Sequence, residues 1–375
     1  MNTRIPGLYI HIPFCLRKCH YCSFYSVATL SSIPTYLEAL SQEMEMVRDP
    51  WGPFDTVYIG GGTPSILTIK QLESILAHVQ KTFVLSPGIE ITLEANPGDL
   101  NLPFLRRLRN MGINRLNIGI QSFDQKILDF LGRRHSPEQA ISALESTRRA
   151  GFQNMGFDLI YGIPGQDLES WRETLNQALI FSPEHLSCYQ LTIEGNTLLG
   201  QRYRNGEFRI PKEDIQFDYF MKTSEWLEEA GYLHYEVSNF ARSPTDASRH
   251  NQKYWNHTPY LGLGPSAHSF KDRERWWNHS SLDQYLAHIE MAKLPVEKKE
   301  ILTREQLQLE ALFLGLRTRR GISLQDFIRR YHFDLMAGKK EILHKLQEEG
   351  FLSIQNGFLA PTRTGLAVAD SLALI

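Results

Sequence analysis

Cysteine is scarce in this sequence, with 4 residues in 375. So few thiols fit a reducing compartment better than a disulfide framework. The 40 basic and 42 acidic residues nearly balance, which argues against a dedicated nucleic-acid surface. No apolar run reaches the roughly 18 residues that a membrane-spanning helix needs, and Met1–Pro6 lacks the apolar core of a signal peptide. We therefore expect a cytoplasmic protein that has no integral membrane segment and binds no nucleic acid.

Three of the four cysteines, Cys15, Cys19 and Cys22, lie within eight residues of each other. This spacing lets three thiolates meet around one soft centre, either zinc or an iron–sulfur cluster. A structural zinc site needs four ligands, usually from two separated pairs, so zinc would require His11 or His20 as the fourth ligand. Three ligands to a four-iron cluster would leave one iron open for chemistry. The single group of three favours the cluster, and zinc stays an alternative.

Short apolar segments alternate with amphipathic helical segments from Leu8 to about Phe240, as is typical of parallel β/α architecture. The predicted strands are Leu8–Pro13, Thr56–Gly60, Ile89–Glu94, Arg115–Ile120, Met155–Tyr161 and His185–Thr192. Six strands with intervening helices predict an α/β fold with an open, partial (β/α)6 barrel. Cys188 has no partner cysteine nearby, so we expect it to be buried in the last of these strands. A helix–glycine–strand pattern recurs at Leu233–Val237 and predicts the last unit of this domain.

The chain is long enough for one large domain and a small one. We predict a core domain over 1–240, a connecting segment without clear periodicity over 241–300, and a small helical domain over 301–375. The helices predicted in the small domain are Glu305–Leu316, Leu324–Tyr331 and Lys339–Glu349. Asn356-Gly357 between two short apolar runs predicts a hairpin, so this domain is winged-helix-like.

Winged-helix domains often bind DNA, so a winged-helix regulator is one hypothesis for this protein. The balanced charge and the lack of a basic recognition stripe favour a packing or partner-binding role for the domain instead.

The segment Leu8–Cys15, followed by the other two cysteines of the C-x3-C-x2-C pattern, resembles the radical S-adenosylmethionine (SAM) superfamily. Within that superfamily it is similar to the oxygen-independent coproporphyrinogen III oxidases and their HemW-type relatives. The resemblance implies a [4Fe-4S] cluster on Cys15, Cys19 and Cys22, with SAM bound to the open iron.

Several polar or glycine residues stand at the predicted strand ends, where the working residues of parallel barrels lie. Gly61, Gly62 and Thr63 belong to a glycine-rich turn that lets a ligand approach the backbone closely, although tight turns alone also need glycine. The resemblance implies that this turn holds the amino group of SAM. Glu94 ends another strand, and it is either a SAM contact, as the resemblance implies, or a structural ion pair with an arginine.

Four further residues match SAM-binding positions of the family. Gln121 ends a strand and can donate and accept hydrogen bonds. Arg133 could clamp a carboxylate in a bidentate manner, and Arg134 is the competing candidate. Asp158 interrupts an apolar strand, which predicts that it points into the barrel. Tyr9 precedes the cysteines at a spacing that could bring its ring near the cluster loop.

The subfamily is predicted from one motif and two departures. Ser23-Phe24 stands where coproporphyrinogen oxidases of this branch carry a further cysteine, and fourteen residues precede Cys15 where they carry a long extension. The run Arg249–Trp255 matches the H-N-x-x-Y-W motif of HemW-type heme chaperones, and imidazole can ligate heme iron. His250 is therefore the predicted heme residue, with His257 and His268 as weaker alternatives; a histidine hydrogen-bonded in a packed aromatic loop is the other interpretation.

These features predict a chaperone that binds heme as cargo and passes it to a heme-requiring acceptor, for example a respiratory protein in a membrane. The alternative is a radical SAM coproporphyrinogen III dehydrogenase.

Overall fold

The structure, a computed structural model, describes residues 4–48 and 51–372. Its main feature is one large mixed sheet. The strands of this sheet are β1 (Gly7–Ile12), β2 (Phe54–Gly61), β3 (Leu85–Ala95), β4 (Arg115–Gln121), β5 (Met155–Tyr161), β6 (His185–Gln190), β7 (Leu233–Glu236), β8 (Asn239–Ala241), β9 (Tyr260–Leu263), β10 (His268–Lys271), β11 (Glu274–Asn278) and β12 (Val296–Ile301). Their order in the sheet is β12-β11-β10-β9-β1-β2-β3-β4-β5-β6-β8-β7.

Helices pack on both faces of this sheet. They are α1 (Ile33–Met46), α2 (Ile69–Thr82), α3 (Leu102–Asn110), α4 (Gln125–Leu131), α5 (Pro137–Arg149), α6 (Leu168–Ile180), α7 (Leu198–Arg204), α8 (Glu213–Glu229), α9 (Arg249–Trp255) and α10 (Leu282–Glu290). Successive side chains of β1 point to opposite faces of the sheet. Leu8, Ile10 and Ile12 are fully buried in the core between the sheet and the helices. Tyr9 and His11 point to the other face.

The predicted partial (β/α)6 barrel is confirmed. Strands β1 to β6 pair in parallel with their chain neighbours, and the observed bounds differ from the predicted ones by a few residues. Cys188 lies in β6 and is buried, as expected. The carboxyl ends of the six strands therefore meet at one edge of the sheet, where the candidate site lies.

Two segments differ from the sequence-based expectation. Leu233–Val237 does not add a parallel unit, because β7 pairs antiparallel with β8 at the edge of the sheet. Segment 241–300 does more than connect: it contributes α9, α10 and four strands, and β9 pairs in parallel with β1. Its strands are only 4 to 6 residues long and partly exposed, so they have too little periodicity to be seen in the sequence.

The C-terminal part forms the predicted winged-helix-like unit with a hydrophobic core of its own. Its elements are α11 (Arg304–Gly315), β13 (Ile322–Ser323), α12 (Leu324–Tyr331), α13 (Leu335–Gly338), α14 (Lys340–Glu348), β14 (Leu352–Gln355), β15 (Phe358–Pro361), α15 (Arg363–Ala367) and α16 (Ala369–Leu372). Asn356 and Gly357 have φ values of 52° and 77°, as a tight hairpin turn between β14 and β15 requires. Within the described ranges, no helix combines the length and the apolar character needed to cross a membrane.

Candidate cluster and cofactor site

A cavity of about 440 Å³ opens at the carboxyl ends of the parallel strands. It contains ten of the twelve residues predicted from the sequence to form the site. These ten are Cys15, Cys19, Cys22, Gly61, Gly62, Thr63, Glu94, Gln121, Arg133 and Asp158. Tyr9 and His250 do not belong to the described residues that line this cavity.

The three cysteines follow β1 on one loop, and each is a free thiol. The Sγ atom of Cys15 lies 3.2 Å from the hydroxyl of Thr63, and Arg133 donates to the Sγ atom of Cys19 at 3.3 Å. Burial raises the pKa of the Cys22 thiol, so metal binding at this side chain must displace a proton. Three sulfur donors on one cavity wall are the donor set that an iron–sulfur cluster uses, so these residues fit the group.

Of the two histidines that the zinc alternative needs as a fourth ligand, His11 has both ring nitrogens in hydrogen bonds, and His20 has Nδ1 in one. Both ring nitrogens of His11 have partners, the Tyr9 hydroxyl and the Tyr25 carbonyl oxygen, each at 3.0 Å. His20 Nδ1 is bonded to the carbonyl oxygen of Phe130 at 3.0 Å. Among residues 4–48 and 51–372, no three His, Cys, Asp or Glu side chains are grouped so that they could hold a metal ion as they stand.

The glycine-rich turn after β2 packs directly against the cysteine loop. Gly61 has a φ of 107°, and a Cβ atom on Gly62 would lie 2.6 Å from the carbonyl oxygen of Phe14. The N–H groups of Gly62 and Thr63 donate to the carbonyl oxygens of Ile12 and Phe14, each at 2.8 Å. Glycine is therefore needed here for close backbone approach, and the turn fixes the position of the first cysteine.

Glu94 lies at the end of β3 beside this turn. Its Oε1 accepts a hydrogen bond from the Tyr58 hydroxyl at 2.7 Å, and its Oε2 accepts one from the N–H of Gly61 at 3.0 Å. Burial, helped by the nearby carboxylate of Asp158, raises the pKa of Glu94 to about 7. No arginine pairs with Glu94 in the described part of the chain, so the structural ion pair considered for this residue does not form.

Asp158 and Arg133 both keep a buried polar atom without a partner. Asn117 donates to Oδ2 of Asp158 at 2.7 Å, whereas Oδ1 has no hydrogen bond within the described residues, and burial raises the pKa of this carboxyl. Arg133 donates from Nη2 to the carbonyl oxygen of Gly119 at 2.6 Å, and its Nε is unpartnered. Unsatisfied buried groups are costly, so their presence in a cavity indicates a place for a polar ligand. Arg134 pairs with Asp99 instead, which leaves Arg133 as the better candidate.

Gln121 sits at a bulge where β4 pairs with β5, and its φ of 67° is unusual for a residue with a side chain. A Cβ atom on Gly119 would approach the side chains of Gln121 and Arg133 to 3.0 and 3.1 Å, so glycine at this position makes room for both. Arg115, Asn117, Gly119 and Gln121 all line the cavity. Sequence reasoning missed the first three, although their period of two along an apolar strand was a usable signal.

The structure places His250 in the molecule's interior. The side chain is 1% exposed, and hydrogen bonds join its Nδ1 to the Thr56 hydroxyl at 2.8 Å and its Nε2 to the Tyr254 hydroxyl at 2.9 Å. Burial lowers the pKa of the ring to about 3, so the imidazole is neutral. Tyr9 packs beside it with ring centroids 6.4 Å apart. In this arrangement neither ring nitrogen of His250 is free to ligate iron.

The two weaker histidine candidates differ in accessibility. His257 is also buried, with hydrogen bonds from Nδ1 to the Tyr331 hydroxyl at 3.0 Å and from Nε2 to Glu310 at 3.3 Å. His268 is exposed, and its ring stacks on Trp277 at a centroid distance of 5.5 Å.

Comparison with known proteins agrees with the fold. Residues 9–178 match the model of the radical SAM superfamily, and residues 302–368 match that of the HemN C-terminal domain. The structure is similar to that of coproporphyrinogen III oxidase HemN from Escherichia coli, with a TM-score of 0.86, 24% identity, and coverage of 99% of this chain and 90% of that chain. At this identity the likeness concerns the fold.

Sequence relatives are more specific. Heme chaperone HemW of Bacillus subtilis is 34% identical over 97% of this chain and 97% of that protein. Heme chaperone HemW of Mycobacterium tuberculosis is 34% identical over 98% of this chain and 93% of that protein. Heme chaperone HemW of Lactococcus lactis is 36% identical over 86% of this chain and 84% of that protein. Identity of this level over nearly the whole length shows common family membership. The chain therefore belongs to the HemW family within the radical SAM superfamily.

Proposed function

We propose that this protein is a heme chaperone that holds a [4Fe-4S] cluster and SAM, binds heme as cargo and delivers it to a heme-requiring acceptor protein. The observation that carries the cofactor part is the grouping of three free thiols, a glycine turn and two partly unsatisfied charged side chains around one cavity. The chaperone part is supported by relatives that bear this name and match almost the whole chain.

Each cavity residue has a proposed task. Cys15, Cys19 and Cys22 would hold the cluster, which when bound offers an open iron to the amino and carboxylate groups of SAM. Arg133 places a positive charge next to the Cys19 sulfur, where it stabilises a thiolate and can also bind a carboxylate. Asp158 offers a free carboxylate oxygen as an acceptor for a hydroxyl or amino group.

Glu94 and the turn Gly61–Thr63 line the same cavity. Glu94 already accepts two hydrogen bonds, so it can accept one from a ligand only through the remaining lone pairs of its oxygens. Its raised pKa makes its charge depend on conditions near neutral pH. Tyr9 bonds to His11 below the cysteine loop, so we propose a supporting role for it.

The cofactor part is tested by anaerobic reconstitution followed by iron, sulfide and zinc analysis. We expect about four irons and four sulfides per chain, and loss of both when the three loop cysteines are replaced by alanine. Cys188→Ala is the matched control, since this buried thiol lies outside the cavity lining and should leave the cluster intact. Zinc without sulfide would overturn the cluster assignment.

The chaperone part is tested by transfer. Heme-loaded protein should pass heme to an apo-acceptor and should leave coproporphyrinogen III unchanged in the presence of SAM and a reductant. Formation of protoporphyrinogen IX with catalytic turnover would instead establish the dehydrogenase alternative with the same cluster residues.

A further inference from the structure

A second cavity, of about 420 Å³, lies between the edge of the large sheet and the C-terminal unit. Phe270 of β10 and Arg273 line it from the sheet, and Arg304, Leu307 and Arg330 line it from the C-terminal unit. Its size is within the range of cavities that bind cofactors and other small molecules. No task assigned so far uses it.

The charge on this cavity is strongly positive. Four arginines line it, Arg4, Arg273, Arg304 and Arg330, whereas Asp272 is the only carboxylate among its described lining residues. Arg330 donates to the carbonyl oxygens of Asn256 and His257 at 3.1 and 3.0 Å, and Arg273 donates to that of Leu302 at 2.9 Å. These acceptors are neutral, so they orient the guanidinium groups without cancelling their charge. In a chain with a formal net charge of −2, this concentration of arginine favours an anionic ligand.

The remaining wall is apolar and carries one accessible histidine. Phe270 stacks on His257 at a centroid distance of 4.6 Å, and Leu307 is a further apolar residue of the lining. His332 follows α12, is exposed, and forms no side-chain hydrogen bond with the described residues. Apolar lining residues, a group of arginines and an imidazole that forms no hydrogen bond with the described residues suit the porphyrin ring, the propionates and the iron of heme.

We propose that heme is bound in this second cavity, with its propionates on Arg273 and Arg304 and its iron ligated by His332. The inference rests on the proposed function as a heme carrier and specifies where the cargo lies. It moves the ligand away from His250, whose two ring nitrogens are bonded to Thr56 and Tyr254.

Helix α9 joins the two cavities. Asn251 lines the first cavity, and His257, two residues beyond the end of α9, lines the second. The H-N-x-x-Y-W motif and the two residues after it therefore form one segment that contributes to the linings of both cavities.

The test is a titration of the full chain with ferric heme, followed by the Soret absorbance. Wild-type protein should bind one equivalent. His332→Gln should alter the Soret band and weaken binding. The double variant Arg273→Gln/Arg304→Gln should weaken binding about tenfold or more, since it removes two charge-assisted contacts.

Iron-free protoporphyrin IX separates the two contributions. His332→Gln should bind it as the wild type does, because no iron bond is lost, whereas the double arginine variant should bind it more weakly. His344→Gln and Arg106→Gln remove an exposed histidine and an exposed arginine elsewhere and serve as matched controls that should change neither titration.

The outcomes are distinguishable. Failure of the wild type to bind heme would overturn the proposed function together with this inference. Wild-type binding that is unchanged in the His332 and arginine variants would overturn the inference alone. The inference alone would also be overturned if a folded His250→Gln variant lost heme binding while His332→Gln still bound heme as the wild type does.

Discussion

Glu94 shows how the interior of the barrel changes the chemistry of a single residue. Its carboxyl group lies between Tyr58 and Gly61, and its pKa is raised to about 7 because burial disfavours the charged form. A raised pKa means that the folded chain binds this proton more tightly than the unfolded chain does. The contribution to stability is therefore fully present below the unfolded pKa of 4.5 and is lost as the pH rises to about 7.

We expect Glu94→Gln to remove this pH dependence. The amide keeps an acceptor for Gly61 and cannot ionise. The unfolding free energy of the variant, relative to that of the wild type, should therefore rise by about 2–3 kcal/mol between pH 5 and pH 8. Denaturant unfolding of the cluster-free chain at both pH values measures this difference. Glu73→Gln, which changes an exposed glutamate paired with Arg107, should show no such trend. A constant difference between wild type and Glu94→Gln would mean that Glu94 stays ionised throughout.

Helix α9 illustrates what the sequence could and could not predict at the level of an element. The motif in Arg249–Trp255 was recognisable, but its packing was not, because its partners lie far away in the chain. Glu90 accepts hydrogen bonds from the N–H groups of Arg249 and His250 at 3.2 and 3.1 Å, which caps the start of the helix. His250 is thereby held against β2, where it bonds to Thr56 and stacks on Tyr58. Its surroundings are those of the other interpretation of this residue, a histidine hydrogen-bonded among aromatic rings.

We expect His250→Ala to destabilise the fold by roughly 2–4 kcal/mol, because it leaves a cavity and two buried hydroxyl groups, of Thr56 and Tyr254, without a partner. Thermal or denaturant unfolding of the cluster-free protein measures the loss. The exposed His344→Ala is the control and should change stability by less than about 0.5 kcal/mol. Equal stability of the two variants would show that the His250 contacts contribute little and would restore it as a candidate for ligand binding.

The strands differ in the same way. β1 to β6 were predictable because short apolar segments alternate with amphipathic helical segments, and Gly61, Glu94 and Gln121 stand at or next to the ends of three of these strands. β9 could not be predicted, because a strand of four residues is too short to show hydrophobic periodicity. Its pairing with β1 also joins positions about 250 residues apart in the chain. Arg115 and Asn117 were missed although they share a period of two with Gly119 and Gln121, since only the folded barrel shows that this face of β4 lines the cavity.

At the scale of the whole molecule, the C-terminal unit is attached to the barrel by polar contacts as well as by packing. Glu228 of α8 pairs with Arg363 at the start of α15, and Arg319 lies 3.7 Å from the same carboxylate. On the other side, Glu310 of α11 binds Arg275 of β11 at 2.8 Å. The second cavity lies where the two parts meet, so its shape depends on this attachment.

Replacement of Glu228 by Gln should loosen this attachment while both parts stay folded, because each part has a hydrophobic core of its own. The glutamate is 29% exposed and serves two arginines, so the loss should be about 0.7–1.4 kcal/mol, or roughly three- to tenfold faster amide exchange in α15. Glu213→Gln is a matched control, since it removes an exposed carboxylate from the first residue of the same helix, fifteen residues before Glu228. Equal exchange of α15 in the two variants would show that apolar packing alone holds the unit in place. Faster exchange in Glu228→Gln alone would show that this ion pair holds the unit in place. The substitution could then be used to change the shape of the second cavity without replacing any residue that lines it.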